Sequence, residues 1–120
     1  MKVLIVDDRE EVTRSLTRLL GAWGHETAVA RNGANALERA SAFEPDCAIV
    51  DLGLPDVSGL ELAGRLRESF PTKRLLLIAY TGSGGALIDK ECRAAGFDAC
   101  VVKPGDATVF EKLLRGAPHS

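Results

Sequence analysis

The hydrophobic residues of this chain alternate between short apolar runs and longer stretches with helical spacing. Five short runs rich in β-forming residues predict strands, at residues 3–6, 26–30, 47–50, 75–79 and 99–102. After each run, apolar residues recur every three to four positions, which predicts an amphipathic helix. On the fourth of these helices the residues with this spacing are Leu87, Ile88, Cys92 and Ala95.

This regular alternation predicts the α/β fold class, with residues 1–120 forming a single domain. The expected architecture is a doubly wound, flavodoxin-like (βα)5 sandwich of three layers around a five-stranded parallel sheet. The runs at 3–6, 47–50 and 75–79 carry no polar residues, as expected for central strands that are covered on both faces. In such sheets the functional crevice lies at the carboxyl ends of the strands, where the strand order reverses.

Five polar residues just past the first, third, fourth and fifth predicted strands are candidates for a site. Asp7 and Asp8 come directly after the first strand, Asp51 after the third, Thr81 after the fourth and Lys103 after the fifth. Because the carboxyl ends of parallel strands meet at one edge of the sheet, these side chains are expected to converge.

A cluster of three carboxylates needs a cation nearby. Two unit charges about 4 Å apart repel each other by roughly 4 kcal/mol at an effective dielectric constant near 20. Lys103 supplies one positive charge, and the oxygen-only ligand set suits Mg²⁺ or Mn²⁺ better than zinc. A carboxylate beside a metal and a lysine is a plausible phosphoryl acceptor, to which the Thr81 hydroxyl could donate a hydrogen bond.

Four segments of the chain resemble the receiver domain of two-component response regulators: IVDD, AIVDLGLPDVSGLEL, LIAYTG and AGFDACVVKP. They occur in the order and at the spacing of that family, and together they cover essentially the whole chain. The segments TGSGG and AGFDACVVKPGD are similar in particular to the corresponding segments of receivers attached to hybrid histidine kinases. The resemblance implies a signalling module that catalyses its own phosphorylation in a phosphorelay, not a metabolic enzyme.

The resemblance also implies a role for each matching residue. Asp51 would be the phosphoacceptor, attacking a phosphohistidine on a histidine kinase or a histidine phosphotransfer domain. Thr81 would bond to the phosphoryl group and move toward it on activation, and Lys103 would pair with a phosphoryl oxygen. The peptide bond between Lys103 and Pro104 would be cis.

The metal site implied by the resemblance consists of four oxygen ligands for Mg²⁺. Asp8 would bind directly and Asp7 mostly through water, and the site would also include Asp51 and the backbone carbonyl of Gly53. Phosphorylation would then bias the surface formed by the fourth helix, fifth strand and fifth helix toward a downstream protein.

The chain departs from the common receiver pattern at three positions. The residue three positions before Lys103 is usually tyrosine or phenylalanine, and here it is Cys100, which has no ring to move. Tyr80 is adjacent to Thr81 but is expected to face the other side of the strand, so we do not assign it that role. Gly53 and Ser83 lack the side chains that often orient water in the family, which predicts slow loss of the phosphoryl group.

Composition excludes several classes of function. The 120 residues are 46% hydrophobic and 27% charged, with a net charge of −2, which gives no electrostatic case for direct nucleic-acid binding. The 3 cysteines include no CxxC pair, so a disulfide framework or zinc site is not expected. Because no signal peptide or membrane-length apolar run is recognised, we expect a cytoplasmic protein without membrane insertion.

Simpler interpretations of the same residues remain open. Asp51, Asp7 or Asp8 could cap a turn or helix, and Lys103 could be a solvated charge. One alternative function is a phosphorylation-independent adaptor with a receiver fold, although such proteins generally lose an acid or the lysine. Another is a Mg²⁺-dependent aspartyl phosphohydrolase, which commonly carries DxDxT after its first strand, whereas this chain reads DDREE. Turnover of a small phosphate ester would identify the latter.

Overall fold

A computed structural model of the chain describes residues 1–71, 74–82, 84–105 and 107–116. Ser83, singled out above, lies outside the described residues. The strands are β1 (Lys2–Val6), β2 (Glu26–Ala30), β3 (Cys47–Val50), β4 (Leu76–Thr81) and β5 (Ala99–Val102). The helices are α1 (Glu10–Ala22), α2 (Gly33–Phe43), α3 (Gly59–Ser69), α4 (Ala86–Ala95) and α5 (Ala107–Arg115).

The strands form one parallel sheet in the order β2-β1-β3-β4-β5. The chain therefore winds from β1 outward to β2, then crosses to β3 on the other side of β1 and continues to β5. The strand order reverses between β1 and β3, which is where such folds place their functional crevice. The predicted doubly wound (βα)5 fold is confirmed.

Alternate residues of the central strands pack into two separate cores. Leu4 and Val6 of β1 lie in the core under α2, α3 and α4, whereas Val3 and Ile5 lie in the core under α1 and α5. Successive side chains of a strand point to opposite faces, so a strand covered on both faces must be apolar throughout. All four of these side chains are fully buried, which explains the unbroken apolar run at the start of the chain.

Two helices next to the sheet edge begin with a side-chain cap. The Asn32 side chain accepts a hydrogen bond of 2.8 Å from the Asn35 amide at the start of α2. The Ser58 hydroxyl accepts one of 3.1 Å from the Glu61 amide at the start of α3. These bonds satisfy amides that have no partner within the helix, and they fix where the loops after β2 and β3 end.

The structure corrects one detail of the sequence prediction and adds another. Thr81 is the last residue of β4 and does not follow it, because its backbone pairs with Val102 and its carbonyl accepts the Lys103 amide at 2.7 Å. Leu87 is in the predicted fourth helix but is 69% exposed, because it lies in the first turn of α4 beyond the edge of the core. Cys92, later on the same helix, is buried.

None of the helices among the described residues combines the length and the apolar character that a membrane span requires.

Candidate functional site

Three carboxylates meet where the strand order reverses. Asp7 and Asp8 follow β1, and Asp51 follows the neighbouring strand β3. One oxygen of each carboxylate lies within 4.8 Å of one oxygen of the others. Asp7 is only 2% exposed, Asp51 is half-buried and Asp8 is exposed, so the cluster opens toward solvent on the Asp8 side.

Lys103 reaches this cluster from the end of β5. Its ammonium nitrogen lies 2.7 Å from Oδ2 of Asp7 and 3.5 Å from Oδ1 of Asp51. The side chains of Lys103, Asp7 and Asp51 are 15%, 3% and 12% exposed, so water screens these charges only weakly. The second oxygen of Asp7 accepts the Arg9 amide at 2.9 Å, which leaves that carboxylate well paired.

Asp51 is held by its backbone and has a largely uncommitted side chain. Its amide donates to the Val6 carbonyl at 2.8 Å, which extends the pairing of β3 with β1 by one residue. Its Oδ1 accepts a long hydrogen bond of 3.3 Å from the amide of Gly53, an exposed residue two positions later, and lies 3.5 Å from the Lys103 ammonium. The backbone of Asp51 is therefore fixed, and its carboxylate, at 12% exposure, is partly open to solvent.

A second carboxylate in the loop after β3, Asp56, connects this loop to α2. Its oxygens accept the Gly33 amide at 2.8 Å and the Ala34 amide at 3.0 Å, both at the start of that helix. These hydrogen bonds lower the pKa of Asp56 below its usual value. Sequence reasoning missed this contact, because nothing in the motif shows which distant amides a loop carboxylate meets.

Gly59 allows the loop after β3, which begins at Asp51, to pass close to the start of α3. A Cβ atom at this position would lie 2.5 Å from the Asp51 carbonyl oxygen and 2.7 Å from the Leu52 Cα. Both are backbone atoms of the loop that carries the candidate acceptor, and they cannot move without displacing it.

We therefore expect Gly59→Ala to destabilise the protein by roughly 1–3 kcal/mol, the usual cost of overpacking. Gly64→Ala, later in α3, is the matched control, because a Cβ there meets nothing within 4 Å. The free energy of unfolding of this control should rise by about 0.5–1 kcal/mol, because alanine favours the helix more than glycine does. Urea unfolding followed by fluorescence of the one tryptophan, Trp23, measures both. Equal unfolding midpoints for Gly59→Ala and the wild type would contradict the argument.

The remaining sequence-predicted residues lie at the ends of β4 and β5. Thr81 is 6% exposed and pairs with Val102, next to Lys103. Cys100 lies on the α4 side of the sheet and packs against the core that contains Cys92. Burial, followed by contact with the Cys92 thiol, raises the pKa of the Cys100 thiol to about 12. Cys100 thus remains a neutral thiol near neutral pH and is not a nucleophile.

The donor set fits a hard divalent cation. Three carboxylates and one ammonium carry a formal charge of −3 + 1 = −2, which a divalent ion would neutralise. All candidate side-chain ligands are oxygens, and the cluster is open on the Asp8 side, where water could complete the coordination.

Comparison with known proteins points to one family. The family model of the response regulator receiver domain matches residues 3–115. Over 115 residues, 96% of this chain and 50% of the relative, the chain is 36% identical to the transcriptional regulatory protein KdpE of Mycobacterium tuberculosis. Over 113 residues, 94% of this chain and 92% of the relative, it is 34% identical to the polar-differentiation response regulator DivK of Brucella anthropi.

Solved structures give the same result. The chemotaxis protein CheY4 of Vibrio cholerae superimposes with a TM-score of 0.89 at 26% identity, and 98% of each chain is covered. A receiver domain from Methylobacillus flagellatus gives a TM-score of 0.86 at 29% identity, again over 98% of each chain. The chain spans about half the length of KdpE but nearly the whole of DivK. These comparisons give no support to the narrower resemblance to hybrid kinases.

Proposed function

We propose that this chain, which belongs to the response regulator receiver domain family, accepts a phosphoryl group on Asp51 and so switches its affinity for a partner protein. The donor would be a phosphohistidine on a histidine kinase or on a histidine phosphotransfer domain. The observation that carries this proposal is the position of Asp51. Its backbone is fixed, and its carboxylate is partly open to solvent and lies between two further carboxylates and the ammonium of Lys103.

The transfer needs one nucleophile and groups that stabilise negative charge. An oxygen of Asp51 attacks phosphorus and the bond from phosphorus to the donor nitrogen breaks. The donor histidine, protonated on its other ring nitrogen, leaves as neutral imidazole. Lys103 already lies 3.5 Å from Asp51, so it can pair with a phosphoryl oxygen as charge develops there. In this proposal the Thr81 hydroxyl donates a hydrogen bond to another phosphoryl oxygen.

Asp7, Asp8, Asp51 and the carbonyl of Gly53 would hold Mg²⁺, with Mn²⁺ as a substitute. When bound, the ion would neutralise the acidic cluster and the charge of the incoming phosphoryl group. Asp8 is the exposed member of the cluster, so it is the carboxylate most accessible to an ion that arrives from solvent.

The partner surface that we propose is the face formed by α4, β5 and α5. Among the described residues, the large hydrophobic side chains that are exposed all lie on these three elements. They are Leu87 at 69%, Val102 at 47% and Val109 at 40% exposure. Exposed apolar groups that cluster on adjacent elements are typical of protein-binding surfaces. Val102 immediately precedes Lys103, so a change at Lys103 could alter this face.

Intact-mass spectrometry after incubation with acetyl phosphate tests the function. The wild-type chain should gain one phosphoryl group in Mg²⁺ and none when the metal is chelated. Asp8→Asn should need at least about tenfold more Mg²⁺ for the same rate, because loss of an outer-shell partner alone typically costs about 10- to 100-fold in metal affinity. Glu38→Gln removes an exposed acid on α2 and should behave as wild type.

Three outcomes would count against parts of this proposal. Continuous hydrolysis of acetyl phosphate, with many turnovers for each protein molecule, would favour an aspartyl phosphohydrolase. No adduct from acetyl phosphate or from a phosphohistidine donor would favour an adaptor that has kept its acids. An adduct whose Mg²⁺ dependence is the same in Asp8→Asn would remove Asp8 from the metal site.

A further inference from the structure

Tyr80, the single tyrosine of the chain, lies directly beneath the segment that carries Lys103. It is the penultimate residue of β4 and is 8% exposed. Its ring lies in the core under α1 and α5, on the opposite face of the sheet from Ala79 and Cys100. The sequence prediction that Tyr80 faces away from the Cys100 side is therefore confirmed. Its contacts on the α5 side could not be read from the sequence.

The Tyr80 hydroxyl binds the backbone that follows Lys103. It accepts a hydrogen bond of 2.7 Å from the amide of Gly105, two residues after the lysine. A buried hydroxyl with a backbone partner loses stability when that bond is broken, so this contact fixes the local path of the chain. We refer to residues 103–105 as the lysine segment.

Gly105 packs closely against the Tyr80 ring and two other side chains. A Cβ atom on Gly105 would lie 2.8 Å from Val101 Cγ1, 2.9 Å from Phe110 Cε2 and 3.1 Å from Tyr80 Cε1. Only a residue without a side chain fits there. Gly105 thus packs closely against three side chains, and Tyr80 is the one of the three that also accepts a hydrogen bond from its amide.

The same ring contacts the functional lysine and the last helix. The Lys103 ammonium lies 5.5 Å from the centroid of the Tyr80 ring, a favourable distance for a cation and an aromatic ring. On its other side the ring meets Phe110 of α5 edge-on, with 5.1 Å between centroids and an interplanar angle of 86°. Tyr80 therefore connects the charge that pairs with Asp7 and Asp51 to the helix that begins just after the lysine segment.

We propose that Tyr80 is a positioning residue for Lys103. Its hydroxyl and ring hold the lysine segment so that the ammonium stays between Asp7 and Asp51. This inference rests on the proposed function of Asp51 as phosphoacceptor, since it concerns the rate of that transfer. Asp51 forms a bond to phosphorus while the bond between phosphorus and the donor oxygen of acetyl phosphate breaks and acetate leaves. Lys103 stabilises the charge only if it is correctly placed.

Tyr80→Phe isolates the hydroxyl, because it keeps the ring and its contact with Phe110. We expect the saturating rate constant for phosphorylation by acetyl phosphate to fall about five- to tenfold, the order expected for a small misplacement of a charged group. The concentration of acetyl phosphate at half-saturation should change much less. Tyr80→Leu, which also removes the ring, should lower the rate constant further.

Thr13→Val is the matched control. Thr13 is 6% exposed, and its hydroxyl donates a hydrogen bond of 3.0 Å to the Glu10 carbonyl in α1. Thr13→Val removes one buried hydrogen bond between a hydroxyl and the backbone, as Tyr80→Phe does, but at a site away from the lysine segment. The control should lose stability while keeping the wild-type rate constant.

A second readout does not depend on phosphoryl transfer. The ¹⁵Nζ signal of Lys103, assigned by its absence in Lys103→Met, should shift and exchange faster in Tyr80→Phe but not in Thr13→Val. If the wild type forms no adduct, the proposed function fails, and this signal alone decides whether Tyr80 positions Lys103. A wild-type rate constant in Tyr80→Phe, or an unchanged Lys103 signal, would overturn the inference.

Discussion

Asp51→Asn is expected to take up no phosphoryl group from acetyl phosphate under conditions in which the wild-type chain is fully modified. An amide oxygen is a poor nucleophile toward phosphorus, and the neutral side chain removes the acceptor without changing its shape. The loss should be complete, because no other described carboxylate combines a fixed backbone, partial exposure and contact with Lys103. Intact-mass spectrometry measures the outcome directly.

The fold should survive this substitution. The Asp51 side chain accepts a long hydrogen bond of 3.3 Å from the Gly53 amide, which an asparagine oxygen can also accept. The substitution weakens the 3.5 Å contact with Lys103, but that lysine keeps its closer ion pair with Asp7 at 2.7 Å. Removing one of three clustered carboxylates also relieves repulsion, so the melting temperature without metal should stay the same or rise. Asp89→Asn, an exposed aspartate of α4, is the control that should still form the adduct. A stoichiometric adduct on Asp51→Asn would place the acceptor elsewhere, and peptide mapping would find it.

The convergence of the site could be predicted from the sequence because it follows from chain topology. Asp7, Asp51 and Lys103 each come directly after a short apolar run, and parallel strands bring such residues to one edge regardless of packing details. The order of strands then makes β1 and β3 neighbours, which sets the two acidic segments side by side. No side-chain geometry is needed for this step, so a pattern of hydrophobic positions is sufficient.

The contacts that surround the site could not be predicted in the same way. The bond between Tyr80 and Gly105 depends on the rotamer of one ring and on the path of a loop after β5. Asp56 bonds to amides at the start of α2, more than twenty residues earlier, and a local pattern contains no information about that pairing. Leu87 has helical spacing with Cys92 yet is exposed, because periodicity does not show where the core ends.

Lys103→Met is expected to destabilise the metal-free protein by about 3–5 kcal/mol, the cost of removing one partner from a buried ion pair. Lys103 lies 2.7 Å from Asp7, whose side chain is 3% exposed, and the substitution leaves that carboxylate with the Arg9 amide as its remaining identified partner. Chemical denaturation without Mg²⁺ measures the loss. Lys112→Met, an exposed lysine of α5, should unfold at nearly the wild-type midpoint.

Mg²⁺ should act more strongly on this variant than on the wild type. In the wild type the lysine already offsets part of the acidic charge, so an arriving cation gains less, whereas in Lys103→Met the formal charge of the cluster is −3. An ion that binds only the folded state stabilises it by about 2.7 kcal/mol at one hundred times its dissociation constant, and tighter binding raises that figure. The rise in melting temperature on adding Mg²⁺ should therefore be larger in Lys103→Met. The double variant Lys103→Met, Asp7→Asn should regain most of the metal-free stability, because the uncompensated carboxylate of Asp7 is then absent. If Lys103→Met melts like the wild type without metal, the ion pair contributes nothing to the fold. Lys103 would then act only in the transfer step.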